Sequence, residues 1–455
     1  MADARSHTFR IASLAWPILI GQLSVIANTV VDTMMVSRFS VTDLGALAIG
    51  ASIYVSIFVG LNGVLQALSP IIGQLFGAQR IDSIGAEVKQ GVWLALLLGC
   101  VGFLVLFFPH PLLSLAKASP ELTEKAALYL QTVAFGLPAW LGFVIYSALN
   151  NAMGRPKMVM AIHLCALTLK IPLNALFIFG GLGLPAMGAP GCAVATTMIA
   201  WLALTAGWLI LYKHPFYQAL GIFGTGFVKP QWASFKELLK IGLPIGLSFF
   251  IDVTSFTFMA IFIARLGDTI VAGHQIAANF ATVLYMLPLS IASATSTLVA
   301  HAIGARDHAN ARRVGFAGIR MAVLICVSLG ALIWLTRGTI VRAYTPNELV
   351  IATALPLFLF ISFYQLFDAI QVTISFILRA YRVVLLPTVM YAIALWCVGL
   401  GGGITIGLNP FGLDLPAAIT GAAGFWLSNS LSLVLIACGM LWLLRRVQRE
   451  AQQTD

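Results

Sequence analysis

The chain has 455 residues, 60% hydrophobic and 9% charged, with a net charge of +10 and a mean hydropathy of +0.96. A soluble domain carries about 25% charged residues, so this composition excludes an ordinary soluble enzyme and points to an integral membrane protein. The apolar runs are long enough for helices of roughly 20 residues and lack the two-residue alternation of barrel strands, which excludes an outer-membrane barrel.

In chain order the pattern predicts twelve spans, over 13–37, 44–75, 88–109, 124–149, 157–180, 189–212, 240–264, 269–301, 314–336, 349–378, 384–407 and 417–444. Arg5 and Arg10 precede a first run too long for a signal core, so it reads as a retained span. The longest break, 213–239, carries Lys213, Gly226, Lys229 and Lys236 and reads as a linker. The expected organisation is therefore 1–212, a cytoplasmic linker over 213–239, and 240–455. All six cysteines fall inside spans without a C-x-x-C pair, and read as packing residues.

Basic residues orient the chain. With a cytoplasmic N-terminus, 19 of the 26 Lys and Arg fall on the cytoplasmic side, among them Arg80, Arg155, Arg306, Arg312, Arg313 and Arg445. Six fall on the other side: Arg38, Lys117, Lys125, Arg265, Arg337 and Arg342. This positive-inside bias places both termini in the cytoplasm. It accounts for the basic balance through anionic lipid, with no nucleic acid invoked.

The chain repeats itself at an offset of 227 residues. Pro17 and Ile18 match Pro244 and Ile245, Arg38 matches Arg265, Ser69 matches Ser296, Gly77 and Ala78 match Gly304 and Ala305, and Gly91 matches Gly318. Six helices per half is an even number, so the halves share one orientation. The expected fold is all-α: twelve transmembrane helices in two six-helix bundles, related by a pseudo-two-fold axis along the membrane normal. Two such bundles with a cleft between them suit an alternating-access transporter.

Of the 16 acidic residues, only Asp32, Asp252 and Asp368 lie within spans and away from their ends, and Lys170 is the basic residue counted with them. A central Asp costs roughly 2.5–3.5 kcal/mol on insertion scales, so these four residues should have a use. Asp252 shares a face of span 7 with Ser248 and Ser255. Asp368 shares a face of span 10 with Tyr364, Gln365 and Gln371. Facing one another, the two carboxylates can hold a proton near neutral pH. They can also wrap a small hard cation such as Na⁺ in oxygens, with Tyr364 completing the shell. The alternative is that each Asp is a neutral, hydrogen-bonded packing residue.

Asp32 lies in the outer half of span 1, with Asn28 one turn earlier. At the repeat offset Asp252 matches Val25, so the halves share a scaffold but not an ion site. In span 5, Lys170 and Asn174 are one turn apart at a depth similar to Asp32. A Lys170–Asp32 pair would neutralise both. His163, two turns earlier, reads as a packing residue. Gln275 and Asn279 in span 8 can line the cleft or bond between helices.

No P-loop, H-E-x-x-H or G-x-S-x-G occurs. The chain therefore reads as no enzyme, and its energy source as an ion gradient. Three stretches now carry a resemblance: "LKIGLPIGLSFFIDVTSF", "VAGHQIAANFATVLYMLPLSIASA" and "FYQLFDAIQVTISFILRAYR", with "VDTMMVSRFSVTDLGALAIG" adding to it. They are similar to the multidrug and toxin extrusion (MATE) transporters, in particular the NorM-like bacterial branch. The resemblance implies a two-lobed, V-shaped multidrug efflux antiporter of the bacterial inner membrane, exporting organic cations in exchange for Na⁺ or H⁺. A two-lobed chain is self-sufficient as a monomer, which is the expected state, and no cofactor beyond the coupling ion is expected.

By the same resemblance, Asp368 and Tyr364 match the family's cation-site residues, and Asp252 stands where many members have Glu. Asp32 matches the first-helix carboxylate, and Asn174 an Asn of the fifth helix. Lys170 departs from the Asn usual in this branch. An ammonium there would repel Na⁺ from Asp32, which moves the expected ion site to Asp252 and Asp368. The rival functions are a lipid-linked oligosaccharide flippase of the same superfamily and a membrane-embedded acyltransferase. The first should need more basic residues in the cleft than Lys170 alone, and the second a His-Asp constellation in a span.

Overall fold

The structure is a computed structural model that describes residues 2–114, 119–223, 229–412, 414–416 and 419–453. Lys117, Gly226 and the first two residues of the last expected span lie outside these. The chain is helical almost throughout. α1 (Ala2–Ser37) is followed by α2 (Val41–Leu65) and α3 (Leu68–Gly77), which together form one span, and by α4 (Ile81–Phe107) and the short α5 (His110–Leu113). α6 (Pro120–Ala134) and α7 (Leu137–Ala152) come next, then α8 (Pro156–Ile178) and α9 (Ala189–Lys213). The second half holds α11 (Trp232–Ala264), after the short α10 (Pro215–Gln218), then α12 (Asp268–Gly304), α13 (His308–Tyr344) and α14 (Glu348–Ala380). α15 (Leu385–Ala392), a π-helical stretch over Ile393–Gly401 and α16 (Gly402–Gly407) form the next span, and α17 (Ala422–Gln453) the last.

Among the described residues, eleven helices are long and apolar enough to cross a membrane. α6 and α7 bend by 46° at a short break, and counted as one broken span they make twelve. The bend falls at Phe135–Gly136, just before Pro138, whose ring cannot donate to the ladder. Helix starts are set locally. Ser40 accepts from the Asp43 amide, Asp307 from the Asn310 amide, and Asn347 from those of Leu349 and Val350. Each satisfies an otherwise orphaned N–H.

Contacts group the chain into two units, one of residues 20–246 and the other of 1–19 with 247–455. α1 and α11 thus each contribute to both, changing unit two residues after Pro17 and Pro244 respectively. In the second unit Ile11, Ala15 and Ile18 of α1 join a core built on α12, α14 and α17, with Phe358, Phe425 and Trp426 fully buried in it.

The repeat is visible within each unit. Gln79 and Arg306, 227 residues apart, both take φ 57° at the turn that ends a helix. A Cβ on Gly91 would strike the Leu68 side chain at 2.6 Å, and one on Gly318 would strike Thr295 at 2.3 Å, the same close approach at the same offset.

The inter-repeat linker is docked on the first unit. Tyr217 of α10 is fully buried, and its hydroxyl donates to Asn150 Oδ1. The Arg155 guanidinium lies 3.5 Å from the Phe216 ring centroid. The Gln90 amide donates to the Lys229 carbonyl at 3.1 Å and accepts from the Gln231 amide at 2.9 Å.

Candidate functional site

Each unit holds a polar cluster at membrane depth, and the two differ in how their charge is balanced. In the first unit, α1 presents Asp32 to α8. Lys170 Nζ lies 3.0 Å from Asp32 Oδ1, with the two side chains 3% and 14% exposed. Asn174 Nδ2 donates to the same oxygen at 2.7 Å. Lys170 also donates to Thr196 Oγ1 of α9, whose hydroxyl in turn donates to the Cys192 carbonyl at 2.9 Å. The ammonium is thus enclosed by oxygens of Asp32 and Thr196. Asn28 is turned to its own helix, donating to the Ser24 carbonyl at 3.0 Å. His163 packs edge-on to Phe143 at 5.3 Å.

In the other unit, Asp252 of α11 and Asp368 of α14 lie within electrostatic reach of each other. The Tyr391 hydroxyl, at the end of α15, donates to Asp252 Oδ1 at 2.8 Å. Asp368 is 4% exposed, and Tyr364, Gln371 and Ser255 are buried with it. Gln365 is fully buried, with neither its amide nitrogen nor its amide oxygen hydrogen-bonded. No Lys, Arg or His pairs with Asp252 or Asp368 among the described residues. Asp368 is buried and Asp252 half-buried, and carboxylates so enclosed without a cationic partner are costly until a proton or cation joins them.

Above the pair, Phe256, Tyr364 and Trp426 meet edge to face, with ring centroids 5.7–6.4 Å apart. Trp426 Nε1 donates to His274 Nδ1 at 3.2 Å, which fixes that imidazole nitrogen as an acceptor. Tyr285 of α12 is within reach of both carboxylates. Gln275 and Asn279, one and five residues after His274, are exposed and stand apart from this group.

Sequence reasoning missed Tyr391, Tyr285 and Thr196, which are single polar residues in apolar runs with no charge to mark them. It also passed over Asp43 as a span end. Asp43 is 1% exposed and ties three helices, accepting from Lys125 Nζ at 2.8 Å and from the Ala189 amide at 2.9 Å. Gly188 beside it, at φ 62°, has no room for a Cβ, which would fall 2.2 Å from Asp43 Oδ1. Among the described residues no three His, Cys, Asp or Glu side chains gather as a metal site.

The MatE family model matches residues 17–176 and again 244–404, two stretches that begin at the 227-residue offset of the repeat. The chain is 38% identical to the probable multidrug resistance protein NorM of Aromatoleum aromaticum, over 97% of this chain and 94% of that one. It is 35% identical to the multidrug resistance protein PmpM of Pseudomonas aeruginosa, over 93% and 88%. An outward-facing multidrug resistance MATE transporter of the MOP superfamily superposes with a TM-score of 0.88 at 18% identity, over 98% of this chain and 97% of that one.

Proposed function

The chain belongs to the MatE family of membrane transporters, and from that premise we propose that it exports cationic, partly apolar drugs by antiport against a cation carried on Asp252 and Asp368. The carrying observation is the contrast between the two clusters. Asp32 has its cation built in, whereas Asp252 and Asp368 have none among the described residues. A mobile ion adds binding energy only where charge is left to neutralise. The hydroxyls of Tyr364 and Tyr391 supply oxygens for Na⁺, and the same carboxylates accept a proton. Na⁺ is the ion we favour, on the likeness to the NorM proteins. Loading shifts the protein between its states only in so far as the ion binds one of them better.

The two repeats, 1–212 and 240–455, act as the moving lobes in this reading, in a monomer of the bacterial inner membrane with both termini cytoplasmic. The flippase reading is weaker, because Lys170 is committed to Asp32 and is not free to hold pyrophosphate.

The test is ethidium efflux from energised everted vesicles under a Na⁺ gradient or a pH gradient alone, in wild type, Asp368→Asn and Lys170→Asn. Efflux driven by one gradient and abolished by Asp368→Asn is the expected result, and the effective gradient names the ion. A fully active Asp368→Asn beside a dead Lys170→Asn would move the coupling to Asp32. No efflux under either gradient would favour the flippase.

A further inference from the structure

Arg379 lies one residue before the end of α14, three turns along that helix from Asp368, toward the end that the basic-residue count places in the cytoplasm. An ordinary interfacial arginine extends its head into water, as the exposed Arg382 three residues on does. Arg379 does not. Its guanidinium carbon sits 4.2 Å from the ring centroid of Phe376 and 5.2 Å from that of Phe249. Phe249 is on α11, three residues before Asp252, so this contact draws the charge inward to the helix that bears the carboxylate. The guanidinium is also within electrostatic reach of Tyr285 and of Tyr391, the donor to Asp252. No carboxylate pairs with it among the described residues. It is a half-buried positive charge without a carboxylate partner among the described residues, attracted to each ring face by a cation–π contact.

At the matching helix end the first unit has no arginine. α7 ends at Ala152 as α14 ends at Ala380, and the residue one before the end is Asn151 there and Arg379 here. At that position the unit whose carboxylate is neutralised by Lys170 carries no charge, and the unit with the open carboxylate pair does.

We propose that Arg379 is an electrostatic barrier on the cytoplasmic approach to Asp252 and Asp368, which prevents the coupling cation from slipping through without drug transport. The proposal rests on the antiport reading and on the sidedness given with it. A guanidinium half-buried against two rings repels any cation that passes close by more strongly than it would in bulk water. Arg379 touches neither drug nor ion and sets tightness of coupling, not affinity.

The experiment uses the full-length protein in liposomes with no drug present, following ²²Na⁺ uptake and, separately, internal pH with a trapped dye. Wild type and Arg379→Lys are expected to be ion-tight. Arg379→Gln is expected to leak the coupling ion roughly tenfold faster, the effect of a modest loss of barrier height, and to move less drug per ion when ethidium is added. An Arg379→Gln protein as tight as wild type, with the same drug-to-ion ratio, would overturn the proposal. Should that variant fail to fold, Phe249→Leu with Phe376→Leu keeps the charge and removes what holds it inward. That pair is expected to leak, and tightness there would count equally against the barrier. The leak assay contains no drug and so reads Arg379 by itself, whereas failure of the antiport reading would appear as wild type moving no ethidium on either gradient.

Discussion

Asp32 and Lys170 show how one side chain changes what a scaffold can do. A carboxylate in the membrane normally needs a proton, an ion or a partner. Here the partner is covalent to the chain, 3.0 Å away and almost fully enclosed. Breaking a buried pair from one side costs about 3–5 kcal/mol, because the remaining charge is left alone. Lys170→Asn is therefore expected to lower the thermal midpoint in detergent markedly. Added Na⁺ should restore part of that loss, since the vacated oxygens of Asp32 and Thr196 then have no ammonium to serve. Removing both charges with Asp32→Asn and Lys170→Met should be milder than either single change. Unchanged melting of Lys170→Asn would mean the pair is not formed in the protein in solution.

At the scale of helices, the close crossings are set by glycines that recur with the repeat. The Gly91–Leu68 and Gly318–Thr295 contacts place α4 on α3 and α13 on α12 at a distance that a single methyl would violate. In the second of these the obstructing atom is Thr295 Oγ1, already held by a 2.7 Å hydrogen bond to the Ile291 carbonyl. Its rotation away is therefore costly. Overpacking of this kind costs about 1–3 kcal/mol, so Gly318→Ala should destabilise by that order in detergent unfolding. Thr295→Ala in the same chain should recover most of it, a non-additivity expected of residues in contact. The π-helical stretch Ile393–Gly401 follows directly on Tyr391, and its Gly399 meets Asn429 and Ser432 of α17 closely. A wider helical turn of this sort is frequent at functional sites, and this one begins two residues after Tyr391, whose hydroxyl reaches Asp252.

For the whole molecule the decisive quantity is sidedness, since the antiport reading and the Arg379 barrier both depend on it. The distribution of Lys and Arg fixes an expectation. With the six free cysteines replaced, a cysteine at the exposed Pro346 should react with an impermeant maleimide on intact cells. One at the exposed Ala305, at the other end of α13, should react only after permeabilisation. The reverse pattern would invert the topology, and would move Arg379 to the outer approach.

The sequence by itself determined the helical membrane class, the duplication at 227 residues and the few charges worth attention. Each rests on a local or periodic property: an apolar run long enough to span, residue identities at one constant offset, and the large cost of each buried charge. The family followed from motifs around those same charges. Only the tertiary structure decided who meets whom. Tyr391 and Asp252 are 139 residues apart in sequence, and Asn174 and Asp32 are 142 apart. A tyrosine in an apolar run has no composition or period that marks it as a carboxylate's donor. Nor does counting basic residues distinguish Arg379, drawn inward between two phenylalanines, from Arg382 in solvent. The division of α1 and α11 between two units is likewise a property of packing, because a continuous helix carries no local mark of which core each of its turns will join.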